Sequence, residues 1–173
     1  LHEINDKETC WEYMTKKGFP MPARLGHLYP SDNSLIWKTP NNAAKTLQDL
    51  LNLHPHVFIK PADGMQGQNC YRLSAGLRDG YYQLNGNSVT AKELLLHVTG
   101  ELLIEEVVIN HKDIAALHPK SLNTVRIITL RPSGENCKIF KAFLRIGAGD
   151  MTVDNYNKGG IGVMIDEKSG KLQ

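Results

Sequence analysis

The sequence predicts an α+β fold. Three observations lead there: short stretches with apolar residues at helical spacing, other stretches that run apolar or alternate over strand lengths, and a mixing of the two without the strand-helix-strand regularity of a parallel sheet. With 173 residues the chain holds one sizeable core, or two small lobes that share a cleft. Hydrophobic residues make up 41% and charged residues 22%, the composition of a soluble globular protein. A net charge of +2 is too weak to favour nucleic acid or an anionic membrane, and no 18-residue apolar run reads as a membrane span. Cys10, Cys70 and Cys137 are odd in number, widely spaced and without a C-x-x-C pair, which fits a reducing, cytoplasmic compartment. The chain opens on Leu1 and closes just past a strand-turn pattern, so it reads as a portion of a longer protein, truncated at its C-terminal end. Nothing in it specifies an oligomeric state.

In chain order, Asn5 or Asp6 caps a first helix with Cys10, Trp11 and Met14 on one face, and Gly18 followed by Pro20 and Pro22 ends it. Arg24 to Tyr29 is a strand, and Pro30 to Pro40 a connection around the apolar Leu35-Ile36-Trp37. Asn41 or Asn42 caps a second helix through Leu53, with Ala44, Leu47, Leu50 and Leu51 at helical spacing. Tyr81 to Leu84, the Asn85-Gly86 turn and Ser88-Val89 make a hairpin, after which Thr90 caps a helix carrying Leu94, Leu95 and Val98. Residues 102–109, LLIEEVVI, form a strand buried on both sides. One helical turn lies in the loop from His111 to Asn123. Thr124 to Arg131 and Cys137 to Ile146 then pair across Pro132-Ser133-Gly134, and a polar loop from Gly147 to Gly160 precedes a strand at Ile161 to Ile165.

The stretch from Val57 to Leu73, VFIKPADGMQGQNCYRL, is a strand, a glycine loop and a returning strand, with Lys60 at the loop's mouth. Two readings fit it. Gly64 and Gly67 let a backbone approach an anion while a lysine supplies a movable charge for phosphate, or the stretch is a hairpin whose turn contains glycine. It is neither a Walker loop nor a dinucleotide fingerprint.

Glu105 stands in an apolar strand, where a carboxylate is costly unless paired. Its partner is either the exocyclic amine of an adenine, with the backbone of Glu106 and Val108 reading the ring edge, or a structural Lys or Arg. Arg126, in SLNTVRIITLR, likewise calls for an anion, either a phosphoryl group or a core carboxylate. The loop from Asp154 to Gly160 closes over a substrate or is a surface turn. The seven histidines lack ligand spacing, and no serine sits in a nucleophile elbow.

Taken together in order, NDKETCWEYMTKKGFPMP, FIKPADGMQGQN and LLIEEVV resemble the ATP-grasp superfamily. FIKPADG, EEVVINHKDIAALHPKSLNTVRIIT and VDNYNKGGIGVMIDEKSGKL are similar to its branch of sugar-transfer-associated and alpha-L-glutamate ligase-like proteins. The resemblance spans nearly the whole chain. It implies two α+β lobes clamping ATP: residues 1–40 as an opening helix and connection packing on the C-terminal lobe, 41–104 as the small nucleotide-binding lobe, and 105–173 as part of the C-terminal lobe.

The same resemblance implies that Lys7 and Lys60 hold phosphates under the loop of Gly64, Gln66 and Gly67, and that Glu105, Glu106 and Val108 hold the base. His111 or Asp113 would reach the ribose. Asn123 and Arg126 would face the phosphates or an acyl phosphate in catalytic roles, and Asp154, Asn155, Gly159 and Gly160 the acceptor. The activity implied is that of an ATP-dependent carboxylate-amine, or thiol, ligase working through an acyl phosphate. ATP and Mg2+ are its implied cofactors, a small carboxylate and an amine-type nucleophile its partners. The alternative is a catalytically silent nucleotide-binding module associated with sugar transfer or surface-glycan assembly. One departure stands out: the superfamily's late Glu-x-Asn motif is missing, since Glu135-Asn136 is adjacent and Asp166-Glu167 lies in a turn. Metal ligands therefore stay unassigned, the site being missing, supplied by residues past the given sequence, or replaced; without the metal, phosphoryl transfer is expected to be slow.

Overall fold

A computed structural model describes residues 6–31, 34–38, 44–63, 69–97 and 100–173; the expected caps Asn41 and Asn42, the loop residues Gly64, Gln66 and Gly67, and Val98 lie outside these. The chain divides after Val108 into two compact units. The first is built on a seven-stranded antiparallel sheet and the second on a three-stranded one.

In the first unit, α1 (Lys7–Lys16) starts at Asp6, whose carboxylate accepts the Thr9 N–H at 2.7 Å, and it stops where Gly18 takes a φ of 79°. Strand β1 (Arg24–Ser31) pairs with β2 (Ser34–Lys38), so the expected connection around residues 35–37 is instead a strand, in keeping with the β-propensity of Ile36 and Trp37. Helix α2 (Leu47–Leu53) is shorter than expected. Thr46 is its cap, because Thr46 and Asp49 exchange side-chain and backbone hydrogen bonds in a capping box that fixes the first turn there. The remaining elements are β3 (His56–Pro61), β4 (Tyr71–Ala75), β5 (Tyr81–Leu84), β6 (Asn87–Thr90), α3 (Ala91–Leu96), capped by Thr90 with Glu93, and β7 (Leu102–Glu106).

The sheet order is β2-β1-β7-β3-β4-β5-β6. Alternation along each strand gives it two different faces. One carries Leu28, Val57, Ile59, Leu73, Leu102 and Ile104 and packs against Leu47, Leu50 and Leu51 of α2 and Leu94 of α3 to make the core. The other carries Lys60 and Glu105 and takes the contacts of α1. The division expected at residues 40 and 104 is not where the chain divides, because β1 and β2 are strands of the same sheet as residues 56–106.

The second unit begins with a short helix, α4 (Lys112–Ala115), and continues with β8 (Thr124–Leu130), β9 (Lys138–Ile146) and β10 (Ile161–Ile165), with β9 in the middle. Ala142 and Leu144 of β9 are buried, whereas Val125, Ile127 and Leu130 of β8 are exposed.

Asn123 locks this unit's loops. It is 3% exposed, and its amide donates to the carbonyls of Ile114 at 2.8 Å and His118 at 3.2 Å while its side-chain oxygen accepts from the Ser121 hydroxyl and the Gly147 N–H. Its backbone exchanges two hydrogen bonds with the Asn110 side chain. Both amide donors are thus engaged within these loops. Replacing Asn123 with Ala orphans several buried groups and should lower the opening free energy of β8 and β9 by about 2 kcal/mol or more, read from native-state hydrogen exchange.

Candidate functional site

The charged face of the first unit centres on Glu105, 3% exposed in β7. The sheet order puts β3 on one side of it and β1 on the other. From β3, the Lys60 ammonium lies 2.6 Å from Oε2; from β1, the Arg24 guanidinium lies 3.3 Å from Oε1. Of the two partners open to Glu105 in the sequence, the protein's own cations hold the carboxylate.

Arg24 reaches this face through a bulge. The pairing of β1 with β7 shifts between Arg24 and Gly26, so two residues of β1 fall opposite Glu105. Leu25 turns to the core and Arg24 to the charged side. There Arg24 also meets Glu8 of α1 at 2.7 Å and lies over the Trp11 ring, 5.4 Å from its centroid, while the Trp11 indole N–H donates to the Pro22 carbonyl. A network continues along the same strand: Glu101 accepts from Tyr29 and engages His27, which stacks on Tyr29. Burial would push the Glu101 carboxyl up, but its hydrogen bonds to His27 and Tyr29 outweigh that and hold it below the usual value.

Lys7, in the first turn of α1, donates to the Pro61 carbonyl at 2.8 Å and reaches the Ala62 carbonyl at 3.4 Å, the two residues that follow Lys60. Two lysines far apart in sequence thus meet at one end of β3. Burial lowers the Lys7 ammonium from its ordinary value, and the Lys60 charge pushes the same way, against the pull of Cys70 and Asp63.

The other expected nucleotide residues have less shape around them. The Glu106 N–H is bonded to the Ala23 carbonyl at 3.0 Å and its side chain is exposed, whereas Val108 lies past the strand end, 43% exposed. In the second unit, Asp113 is exposed in α4 beside His111, at 3.5 Å.

The second unit has its own concave site, a half-open cavity of about 170 Å³ lined by Arg126, Phe143, Arg145, Asp154, Tyr156, Ile161 and Gly162. Register explains part of this. Arg126 pairs with Phe143 and Thr124 with Arg145, so Arg126 and Arg145 share one face of the sheet, and Gly162 of β10 lies opposite Arg145 and leaves space. Asp154 is buried and takes Arg145 at 2.9 Å and the Thr124 hydroxyl, and Asn155 also accepts from Arg145. Arg126 has no ion-pair partner among the described residues. The loop is shaped by glycine: Gly159 has a φ of 87°, and a Cβ on Gly160 would lie 2.6 Å from the Asp154 carbonyl oxygen.

Among the described residues no three His, Cys, Asp or Glu side chains converge as metal ligands, and the two buried carboxylates, Glu105 and Asp154, are already held by cations. Sequence reasoning missed Arg24, Glu8 and Arg145. For Arg145 a signal existed, a cation two residues after Phe143 near the apolar end of its strand; for Arg24 there was none, since regular alternation from Leu28 assigns it to the core face.

No helix among the described residues is long and apolar enough to cross a membrane. Neither a search of curated proteins nor one of solved structures returns a match. The mixed α+β architecture with two antiparallel sheets, the paired lysines at the end of β3 and the order of the motifs all accord with the result of a scan against family models, in which the sugar-transfer associated ATP-grasp family matches residues 1–173: the chain belongs to that family.

Proposed function

We propose that this chain is the ATP-binding part of an ATP-dependent carboxylate-amine ligase. The observation that carries the reading is the meeting of Lys7 and Lys60 at the end of β3, next to the Gly64 to Gly67 stretch. Two ammonium groups near one end of β3 suit the phosphates of a nucleotide, and a third cation, Arg24, already serves Glu105. The exposed backbone around Val108 would receive the base edge.

In the second unit, Arg126 supplies a guanidinium with no ion-pair partner among the described residues, beside apolar walls of Phe143 and Ile161, suited to a carboxylate carried on an apolar body. Asp154, Asn155, Gly159 and Gly160 shape the loop that bounds this cavity, with Arg145 holding Asp154. In the proposed reaction a substrate carboxylate oxygen attacks the γ-phosphorus and ADP leaves. The amine then attacks the acyl carbon, phosphate leaves and the amine's proton is released. The chain contributes position and charge: lysines on the phosphates, Arg126 on the carboxylate and the charge that develops there.

Three outcomes test this reading. Lys60→Met should weaken ATP binding by about tenfold to a hundredfold in calorimetry, the loss of one charge-assisted contact; unchanged affinity removes Lys60 from the site. Lys7 supplies a pH signature. Because its folded value is depressed, the charged form opposes folding at neutral pH, and that opposition fades as pH rises through the folded value toward the ordinary lysine value. A phosphate beside it raises the value again, so ATP binding at mildly alkaline pH should take up a proton, seen as a buffer-dependent heat that Lys7→Met abolishes. Third, ATP with hydroxylamine and a panel of small acids should yield hydroxamate and ADP, and Arg126→Met should lower that yield at least tenfold while ATP affinity stays within twofold. ATP binding without ADP release from any acid would instead favour a silent nucleotide-binding module.

A further inference from the structure

Arg24 is nearly as buried as the core, with 5% of its side chain exposed, yet it carries a full charge. Three elements hold it. Glu8 of α1 faces Nη1 at 2.7 Å, Glu105 of β7 faces Nη2 at 3.3 Å, and the Trp11 ring lies under the guanidinium. No guanidinium nitrogen of Arg24 has a hydrogen-bond partner in good alignment among the described residues, so the pairing acts through charge more than through directed bonds. The four side chains Glu8, Arg24, Glu105 and Lys60 form an alternating row of charges that sums to zero, with Lys60, 23% exposed, at its accessible end.

The row has an effect on Lys60. Were Lys60 the only cation beside a buried carboxylate, the attraction would hold the ammonium against Glu105 and spend its charge there. Arg24 takes up part of that carboxylate's field through Oε1. The Lys60 ammonium then stays at 2.6 Å from Oε2 while keeping much of its charge for an incoming anion.

We propose that Arg24 is a positioning residue for the phosphate-binding lysine: by sharing the charge of Glu105 it sets where the Lys60 ammonium stands and how much of its charge faces the ligand. This rests on the reading of Lys60 as a phosphate ligand. Arg24 touches no nucleotide in this scheme. It acts through Glu105, and its effect is confined to the part of the ligand that Lys60 contacts.

The test is a double-mutant cycle read with two probes, ATP and adenosine, by calorimetry on the full chain. Arg24→Met keeps an apolar stem and removes the charge; it should weaken ATP binding about tenfold and leave adenosine within twofold. Arg24→Lys should restore most of the loss. In a Lys60→Met background, Arg24→Met should have no further effect. Equal weakening of ATP and adenosine overturns the proposal in favour of a purely structural role, and so does a tenfold effect that persists without Lys60. If Lys60→Met alone leaves ATP affinity unchanged, the reading of Lys60 fails and this inference with it; if Lys60→Met weakens ATP but Arg24→Met does not, only the inference fails. Should Arg24→Met not fold, Glu8→Gln releases one end of the guanidinium from a partly exposed position and enters the same cycle. A weakening of about threefold for ATP alone, lost in the Lys60→Met background, is then expected, and no change or a loss shared by adenosine overturns the proposal.

Discussion

A charged group inside a strand has to be answered by its neighbours, and Glu105 sets that demand for the first unit. Leu103 and Ile104 beside it have no exposed surface, so the carboxylate is removed from water and tolerable only with cations at hand. The strand order meets the demand from both sides, with β1 and its arginine on one flank and β3 and its lysine on the other. The opening helix follows from the same requirement. Its Glu8 balances the arginine, its Trp11 covers it, and its Lys7 is thereby brought to the carbonyls of Pro61 and Ala62.

The second unit repeats the device with different residues. Asp154 is buried and is answered by Arg145 and the Thr124 hydroxyl, while Arg126 on the same sheet face is left to line a cavity. In each unit a carboxylate anchors one arginine, and a further cation stands nearby with charge to offer. Within each unit the anchored arginine is less exposed than the cation on offer, a division of labour in which stability and ligand attraction are carried by different side chains.

Much of this was legible in the residues. Apolar runs located the central strands, the Asn85-Gly86 turn located the hairpin, and threonine followed three residues on by an acidic residue marked the start of α3. The same signature at Thr46 and Asp49 was present but lost to the asparagines upstream. Glu105 was conspicuous because a carboxylate among leucine, isoleucine and valine breaks the pattern. Its partners were not, since strand order is a property of the whole sheet and no local window contains it. The surroundings of Asn123 were hidden for a related reason: an asparagine before a strand looks available, and only the folded loops reveal that Ile114, His118, Ser121 and Gly147 engage its amide.

The bulge opposite Glu105 has a consequence for how this chain tolerates change in length. From Leu28 backward, strict alternation would turn Arg24 toward the leucines behind the sheet and Leu25 toward the carboxylate; one surplus residue exchanges their sides. Removing a single codon between Arg24 and Gly26 would therefore do more than shorten a strand: it would drive a guanidinium into oil and strand an acid beside a hydrocarbon. Variation in this segment is thus constrained by spacing as tightly as by chemistry, and insertions or deletions there should be far rarer than substitutions.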